Sequence, residues 1–143
     1  MSDHPMRGFG RAFWDALASG KPEQIAPMLD DNVDWTVFGP VDLFPFFGHR
    51  QGKPAVLAML REIAPRVALN GCDTERTLAD GDHAASLLRV SVRDLQSHRT
   101  LSLRLALFAQ FASGKLMTLR AVFDSFDAAE QALGRHIDIS QAA

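Results

Sequence analysis

The sequence predicts an α+β fold in which helices near the N-terminus close a pocket on a curved, mostly antiparallel sheet. Helical spacing of apolar residues dominates the N-terminal part, and alternation of apolar and polar residues dominates the rest. Between them, residues 33–60 contain a strand, an aromatic loop and a helix in succession. A strand with one apolar face beside such a loop and helix is typical of a sheet that curls around a cavity.

The composition is that of one globular domain. The chain has 143 residues, 47% of them hydrophobic and 22% charged, which is enough for a core and a small pocket. We expect the domain to span residues 1–143, with an ordered core over about 6–134 and a tail over 135–143. The net charge of −2 provides no basic surface for nucleic acid.

No segment has the pattern of a membrane span or a secretion signal. The single cysteine, Cys72, excludes an internal disulfide. These observations predict a cytoplasmic protein without a nucleic-acid or membrane partner.

Two predicted helices precede the central strand. Phe9, Phe13 and Leu17 share one helical face, and a Ser-Gly pair ends that helix. Pro22 begins a short second helix, which the polar residues 30–32 end as a solvated turn.

The central stretch begins with an alternating strand that places Val33, Trp35 and Val37 on one face. A Gly-Pro pair breaks the strand, and a loop with three aromatic residues follows: Phe44, Phe46 and Phe47. The third helix has Pro54 in its first turn and ends before Pro65.

The rest of the chain is predicted to be β-structure with one closing helix. The predicted strands cover residues 67–79, 84–93, 100–111 and 115–123. Asn70-Gly71 predicts a bulge or a bend in the first of them, and Asp80-Gly81 predicts a tight hairpin after it. A capping box that starts at Asp127 predicts a last helix ending at Gly134.

Alternate residues give these strands one apolar face and one mixed face. The apolar face carries Leu88, Val90, Val92, Leu101, Leu103, Leu105, Leu107, Met117, Leu119, Ala121 and Phe123. The mixed face interleaves arginines with Ala106, Phe108 and Val122, which favours an interface with a second copy. We therefore expect a homodimer formed through the outer face of the sheet, the alternative being arginines that are simply solvated.

Four segments, together with the order of the elements, carry a resemblance to a known family. They are residues 13–20, 29–35, 48–56 and 114–124. The chain resembles the nuclear transport factor 2-like superfamily, and more closely its SnoaL-like and ketosteroid-isomerase-like branch. The resemblance implies a cone-shaped sheet whose pocket binds a small apolar organic molecule. It implies either an isomerase, cyclase or hydrolase, or a non-catalytic binding or accessory protein.

The catalytic set of the ketosteroid isomerases has no counterpart here. Those enzymes use a carboxylate as the base, a tyrosine as a hydrogen-bond donor and a protonated aspartic acid as a second donor. The matching positions hold Val37, Phe13 and either Leu107 or Ala106, none of which can move a proton. The resemblance therefore does not imply ketosteroid-isomerase chemistry.

Limonene-epoxide-hydrolase-like relatives use an Asp-Arg-Asp set to activate water. Ungapped matching places its arginine and one aspartate on Leu88 and Val90, and the other aspartate on Ala121. A shift of one residue would bring in Arg89, but no shift supplies both carboxylates. The acid–base pair of SnoaL-type polyketide cyclases has no assigned match in this chain.

Three residues remain candidates for catalysis. Asp124 follows the last strand and either reaches the ligand or supports the turn. His49 lies beside the aromatic loop and is either at the pocket mouth or in solvent. Asp42 is either a lid carboxylate or a solvated loop acid.

The expected pocket combines inward-facing strand residues with aromatic and helical ones. Its predicted members are Phe13, Trp35, Val37, Phe47, Met59, Leu88, Val90, Leu105, Leu119, Ala121 and Phe123. The histidines are scattered, and no phosphate-binding glycine motif is present, so we expect no metal site and no cofactor.

Overall fold

The computed structural model describes residues 5–39, 44 and 46–137. Within them, three α-helices and one 3-10 helix surround a six-stranded sheet. The helices are α1 (Pro5–Ala18), the 3-10 helix (Pro22–Met28), α2 (Lys53–Ile63) and α3 (Ser125–Leu133). The strands are β1 (Leu29–Phe38), β2 (Gly48–Gln51), β3 (Val67–Asp80), β4 (His83–Asp94), β5 (Thr100–Ala112) and β6 (Lys115–Phe123).

The sheet has the order β2-β1-β6-β5-β4-β3. Strands β1 and β6 are parallel, and all other neighbours are antiparallel. The register shifts twice in β3, once between Leu69 and Gly71 and once between Thr74 and Arg76. Such bulges bend a strand and increase its twist, so the sheet curves around one face. The curved sheet confirms the α+β cone, and the first shift confirms the bulge predicted at Asn70-Gly71.

Helices α1 and α2 cover the concave face of the sheet. Phe9 and Leu17 of α1 are buried, as their spacing predicts. Val56 and Leu60 are among the buried residues of α2, which has Pro54 in its first turn. No helix among the described residues is long and apolar enough to cross a membrane.

The second predicted helix and the turn after it are corrected by the structure. The helix is a 3-10 helix, and residues 30–32 belong to β1 instead of a turn. The register with β6 shifts between Leu29 and Asp34, so the polar residues form an irregular part of the strand. The backbone amide of Asn32 donates to the Asp30 carboxylate over 2.8 Å. The side-chain amide of Gln51 donates to the backbone carbonyl of Asn32 over 2.9 Å. These bonds satisfy the polar groups without ending the strand.

A bulge also changes which residue of β6 faces inward at its start. The register with β5 shifts between Gln110 and Phe111, so Met117 has no partner in the ladder. Leu116 is fully buried and Met117 only half-buried, which makes the prediction for Met117 wrong. Alternation predicts faces correctly only up to such a bulge.

The last helix starts one turn earlier than predicted, because Asp124 is its N-cap. The Asp124 carboxylate accepts a hydrogen bond from the Asp127 amide over 3.3 Å. Asp127 lies in the first turn and accepts from the Gln131 amide over 2.6 Å. Gly134 ends the helix with a φ of 71°, in the left-handed region that glycine tolerates.

The outer face of the sheet carries a patch of exposed apolar side chains, here called the outer patch. Two adjacent rows of cross-strand partners form it. One row is Phe38, Val122, Ala106 and Leu87, and the other contains Phe108, Ala85 and Leu78. About half of Phe38 and of Phe108 is exposed, at 51% and 52%. A groove of about 400 Å³ runs beside Leu78 and Phe108.

Candidate functional site

The main cavity lies between the concave face of the sheet and helices α1 and α2, and its volume is about 880 Å³. Strands β1, β3, β4, β5 and β6 all contribute to its wall. Because side chains alternate across a strand, β1, β4, β5 and β6 supply every second residue to this wall, whereas the bulged strand β3 also supplies the consecutive residues 69–72. Small-molecule sites in proteins span about 300–1,000 Å³, so the cavity has the size of such a site.

The buried part of the wall is almost entirely apolar. Ser86, at 7% exposed, is the single buried polar residue in the part of the chain that the structure describes. Its hydroxyl lies 2.9 Å from the hydroxyl of Thr77, and both residues line the cavity. Trp35 also lines it, with an indole Nε1 that is buried and has no partner among the described residues. The buried wall therefore offers hydroxyl groups and an indole N–H, but no group that titrates.

All charged residues that line the cavity are exposed, and two exposed polar residues lie near them. Arg7, Arg11 and Asp15 lie on α1, and Asn70 and Cys72 lie on the facing strand β3. These residues form the mouth of the cavity. Partial burial raises the pKa of the Cys72 thiol, and the neighbouring Asp73 raises it further. A thiol with a raised pKa is a poor nucleophile at neutral pH.

Ten of the predicted pocket residues line the cavity. They are Phe13, Trp35, Val37, Met59, Leu88, Val90, Leu105, Leu119, Ala121 and Phe123. Phe47 does not line it, and Phe46 does. The Phe47 ring is 2% exposed and lies 4.7 Å from the Phe46 ring and 5.2 Å from the rings of Phe44 and Phe123. Phe47 is thus a core residue of an aromatic cluster that consists of Phe44, Phe46, Phe47 and Phe123.

The positions that the family resemblance assigned to catalysis lie on the cavity wall and hold apolar side chains. They are Phe13, Val37, Leu88, Val90, Leu107 and Ala121. Arg89 does not line the cavity, and its guanidinium donates to the Ser102 hydroxyl over 3.1 Å. Ala106, the alternative to Leu107, belongs to the outer patch.

The three candidate catalytic residues are not brought together in the cavity. Asp124 is exposed and caps α3, and it does not line the cavity. His49 is exposed on the edge strand β2, where its Nε2 lies 2.9 Å from an Asp34 carboxylate oxygen. Asp42 lies outside the described residues.

Asp34 pairs with two basic residues away from the cavity. Arg120 donates to both of its carboxylate oxygens, over 3.1 and 2.9 Å. This bidentate bond, with a smaller contribution from His49, lowers the pKa of Asp34. None of the three residues lines the cavity, so the cluster ties β1, β2 and β6 together.

Sequence reasoning missed the polar residues of the wall. Arg7, Arg11 and Trp14 are spaced i, i+4 and i+7, which places them on one side of α1 beside its buried face. Ser86 is in phase with Leu88 and Val90, so alternation places it on the inner face. These two signals could have identified Arg7, Arg11 and Ser86, but not the other polar residues of the wall. No three histidine, cysteine or acidic side chains of residues 5–39, 44 and 46–137 lie close enough together to hold a metal ion.

Solved structures confirm the fold. A provisionally named isomerase from Rhodopseudomonas palustris is 46% identical, with a TM-score of 0.89 over 94% of this chain and 100% of its own. An epoxide hydrolase of M. tuberculosis, described as like limonene-epoxide hydrolase, has a TM-score of 0.72 at 18% identity, over 92% of this chain and 90% of its own. A protein with a ketosteroid isomerase-like fold from Catenulispora acidiphila, in complex with trimethylamine, has a TM-score of 0.71 at 8% identity, over 89% of this chain and 92% of its own.

Sequence comparison gives the family. No curated protein matches the chain. The profile of the SnoaL-like domain matches residues 10–118, which is most of the chain. The profile match, the 46% identical relative and the curved six-stranded sheet agree with one another. The chain belongs to the SnoaL-like family, and it has the fold of nuclear transport factor 2-like proteins.

Proposed function

We propose that this protein binds a small, largely apolar organic molecule in its main cavity. One observation carries the proposal: a cavity of about 880 Å³ whose buried wall, among the described residues, contains Ser86 as its single buried polar residue. Burying apolar surface against such a wall contributes about 25 cal/mol per Å². The wall therefore favours carbon-rich ligands over polar ones.

The same wall selects against a formal charge at depth. A charged group buried without a partner is strongly destabilised, and no titratable side chain of the described residues lies in the buried part of the cavity. A charged substituent fits only at the mouth, beside Arg7, Arg11 and Asp15. We expect the bound part of the ligand to be neutral.

Filling the cavity tests the proposal. Ala121 is 2% exposed on the cavity wall, whereas Ala112 is exposed at the end of β5. The neutral dye Nile red is titrated into the native protein, the Ala121→Phe variant and the matched Ala112→Phe variant. We expect at least a tenfold loss of affinity in the first variant only. Equal affinity in all three folded proteins would contradict binding in this cavity.

Catalysis by a mouth residue is the second candidate function. Asp15 lines the cavity and is its one carboxylate among the described residues, and the 46% identical relative is provisionally named an isomerase. An isomerase, cyclase or hydrolase reaction needs such a group within hydrogen-bond reach of the substrate. Asp42, from the aromatic loop, stays a further candidate on sequence grounds.

A substrate panel separates catalysis from binding. Turnover of neutral epoxides and enones is measured for the native protein and for the Asp15→Asn and Asp42→Asn variants. We expect no turnover in any of them if the protein only binds its ligand. Turnover that falls at least a hundredfold in one variant would identify the catalytic carboxylate and overturn the binding-only interpretation.

We also propose that the outer patch joins two copies of this chain. The patch combines a projecting side chain, the half-exposed Phe38, with the groove beside Leu78 and Phe108 on the same face. A two-fold axis lets Phe38 of each copy enter the groove of the other, which makes the surface self-complementary. This pairing removes the exposed apolar surface from water.

A further inference from the structure

Trp35 is a buried hydrogen-bond donor in the cavity wall. The residue is 4% exposed and lines the cavity. Its Nε1 is the one buried side-chain nitrogen or oxygen of the described residues that has no hydrogen-bond partner. The indole N–H can only donate, so an acceptor is needed to satisfy it. A buried donor without a partner costs free energy, which a ligand with a suitable acceptor recovers.

The indole ring is held in place by aromatic neighbours. The Phe9 ring lies 6.5 Å from it at an interplanar angle of 63°, and the Phe13 ring lies 5.9 Å away at 33°. Phe13 is half-buried and lines the cavity, and its ring also lies 5.9 Å from the Phe9 ring. Nε1 is buried, so a ligand atom reaches it only when a neighbouring side chain moves. Phe13 is the less buried of the two rings that pack on the indole, and Phe9, at 2% exposed, keeps the indole oriented.

We infer that the ligand of this cavity carries an uncharged oxygen acceptor, such as a carbonyl, ether or epoxide oxygen, that accepts a hydrogen bond from Trp35 Nε1. This inference rests on the proposed binding function and narrows its ligand class. An uncharged acceptor is favoured because the buried wall of the described residues holds no cation to balance an anion. Trp35 is then the residue that selects oxygenated molecules over plain hydrocarbons.

A second polar point in the cavity has to be separated from Trp35. The hydroxyl pair of Thr77 and Ser86 belongs to β3 and β4. Two strands, β6 and β5, lie between β1 and β4, so the backbones of β1 and β4 lie about 14 Å apart across the sheet, and Ser86 is two residues further along β4 than the position aligned with Trp35. A small ligand with one oxygen reaches one of these groups at a time.

Benzophenone and diphenylmethane test the inference, because they share one skeleton and differ by a carbonyl in place of a methylene. Their dissociation constants are measured for the native protein and for the Trp35→Phe and Ser86→Ala variants. For each protein we compare the ratio of the two dissociation constants. The smaller ring of Trp35→Phe changes the binding of both compounds alike, so this effect cancels in the ratio. We expect the preference for benzophenone to fall about tenfold in Trp35→Phe, and by less in Ser86→Ala.

Nuclear magnetic resonance provides a second reading in the native protein, in case Trp35→Phe does not fold. The two indole N–H signals are distinguished with a Trp14→Phe variant. We expect benzophenone to move the signal of the Trp35 indole proton downfield, because its carbonyl accepts the hydrogen bond. Diphenylmethane has the same rings but no acceptor, so it is expected to cause no such shift.

The outcomes separate this inference from the proposed function. Binding of both compounds with an unchanged ratio in Trp35→Phe, or an unmoved indole proton, overturns the inference and leaves the binding function standing. A larger loss of preference in Ser86→Ala assigns the contact to the hydroxyl pair and also overturns it. Binding of neither compound overturns the binding function and the inference together.

Discussion

Replacing Gly39 by alanine is expected to destabilise the protein through a single steric contact. A Cβ atom at this position would lie 2.6 Å from two atoms of the Phe47 ring and 2.7 Å from a third. Carbon atoms in contact normally lie about 3.5–4.0 Å apart, so the ring has to retreat by about 1 Å. The ring is 2% exposed within the aromatic cluster and cannot retreat without disturbing its neighbours.

The expected cost is that of overpacking a core, about 1–3 kcal/mol. For a domain of this size, that corresponds to a fall in Tm of about 3–9 °C. Urea denaturation followed by far-ultraviolet circular dichroism measures the change in the free energy of unfolding. The Gly39→Ala, Phe47→Leu double variant is expected to lose less than the sum of the two single variants, because the smaller side chain makes room for the methyl group.

A matched glycine provides the control. Gly8 lies in α1, and a Cβ atom added there has no atom within 4 Å. Gly8→Ala is therefore expected to be neutral or to stabilise the protein by up to about 1 kcal/mol, through helix propensity. If the free energy of unfolding of Gly39→Ala lies within about 0.5 kcal/mol of the native value, Phe47 does not pack closely on the Gly39 backbone and the reasoning is refuted.

Four further predictions address the surface and the site. Sedimentation is expected to give a dimer for the native protein and a folded monomer for Phe108→Lys, since the outer patch then carries a charge. Asp34→Asn is expected to cost less than about 1 kcal/mol at neutral pH, because the ion pair with Arg120 is partly exposed. Because the pKa of Asp34 is lowered in the folded protein, the cost of this substitution is present above about pH 4. The cost disappears as the pH falls through the folded-state pKa of Asp34. Asp124→Ala is expected to lose about 1 kcal/mol with its cap. Cys72 is expected to react with iodoacetamide more slowly than a free cysteine at pH 8, because its pKa is raised.

Each of these has a contrary result. A native monomer would remove the proposed dimer, and a dimeric Phe108→Lys would move the interface off the outer patch. A cost of Asp34→Asn that grows as the pH falls below 4 would contradict the lowered pKa. An Asp124→Asn variant, which can still cap, should retain stability that Asp124→Ala loses. Alkylation of Cys72 as fast as that of free cysteine would contradict its partial burial.

The period of two in a strand explains why so much of the cavity wall was predictable from the sequence. For example, Leu88, Leu105 and Leu119 all face inward, because the register between their strands is regular at these positions. The loop that contains Phe47 has no period, so its side chains could not be assigned to wall or core. At Met117 a bulge reversed the alternation, and nothing in the local sequence marks that bulge.

The polar features of the site were harder to predict because they depend on pairs of elements. Ser86 was in phase with the apolar face, but its bond to Thr77 requires the β3–β4 register. The role of Asp15 at the mouth depends on how α1 lies across the sheet, which helical spacing does not determine. Asp124 was placed correctly at the strand end, and its capping role follows from where α3 begins.

The parallel pairing of β1 with β6 has a consequence for how the chain folds. Arg120 and Asp34 are 86 residues apart in sequence, yet their strands are neighbours in the centre of the sheet. Contacts over such separations slow folding, because a long segment has to be ordered before they form. During synthesis, β1 has no central partner until β6 has left the ribosome. The cavity, to which both strands contribute, therefore forms only after β6 has been synthesised, and a ligand can stabilise the fold only from that point on.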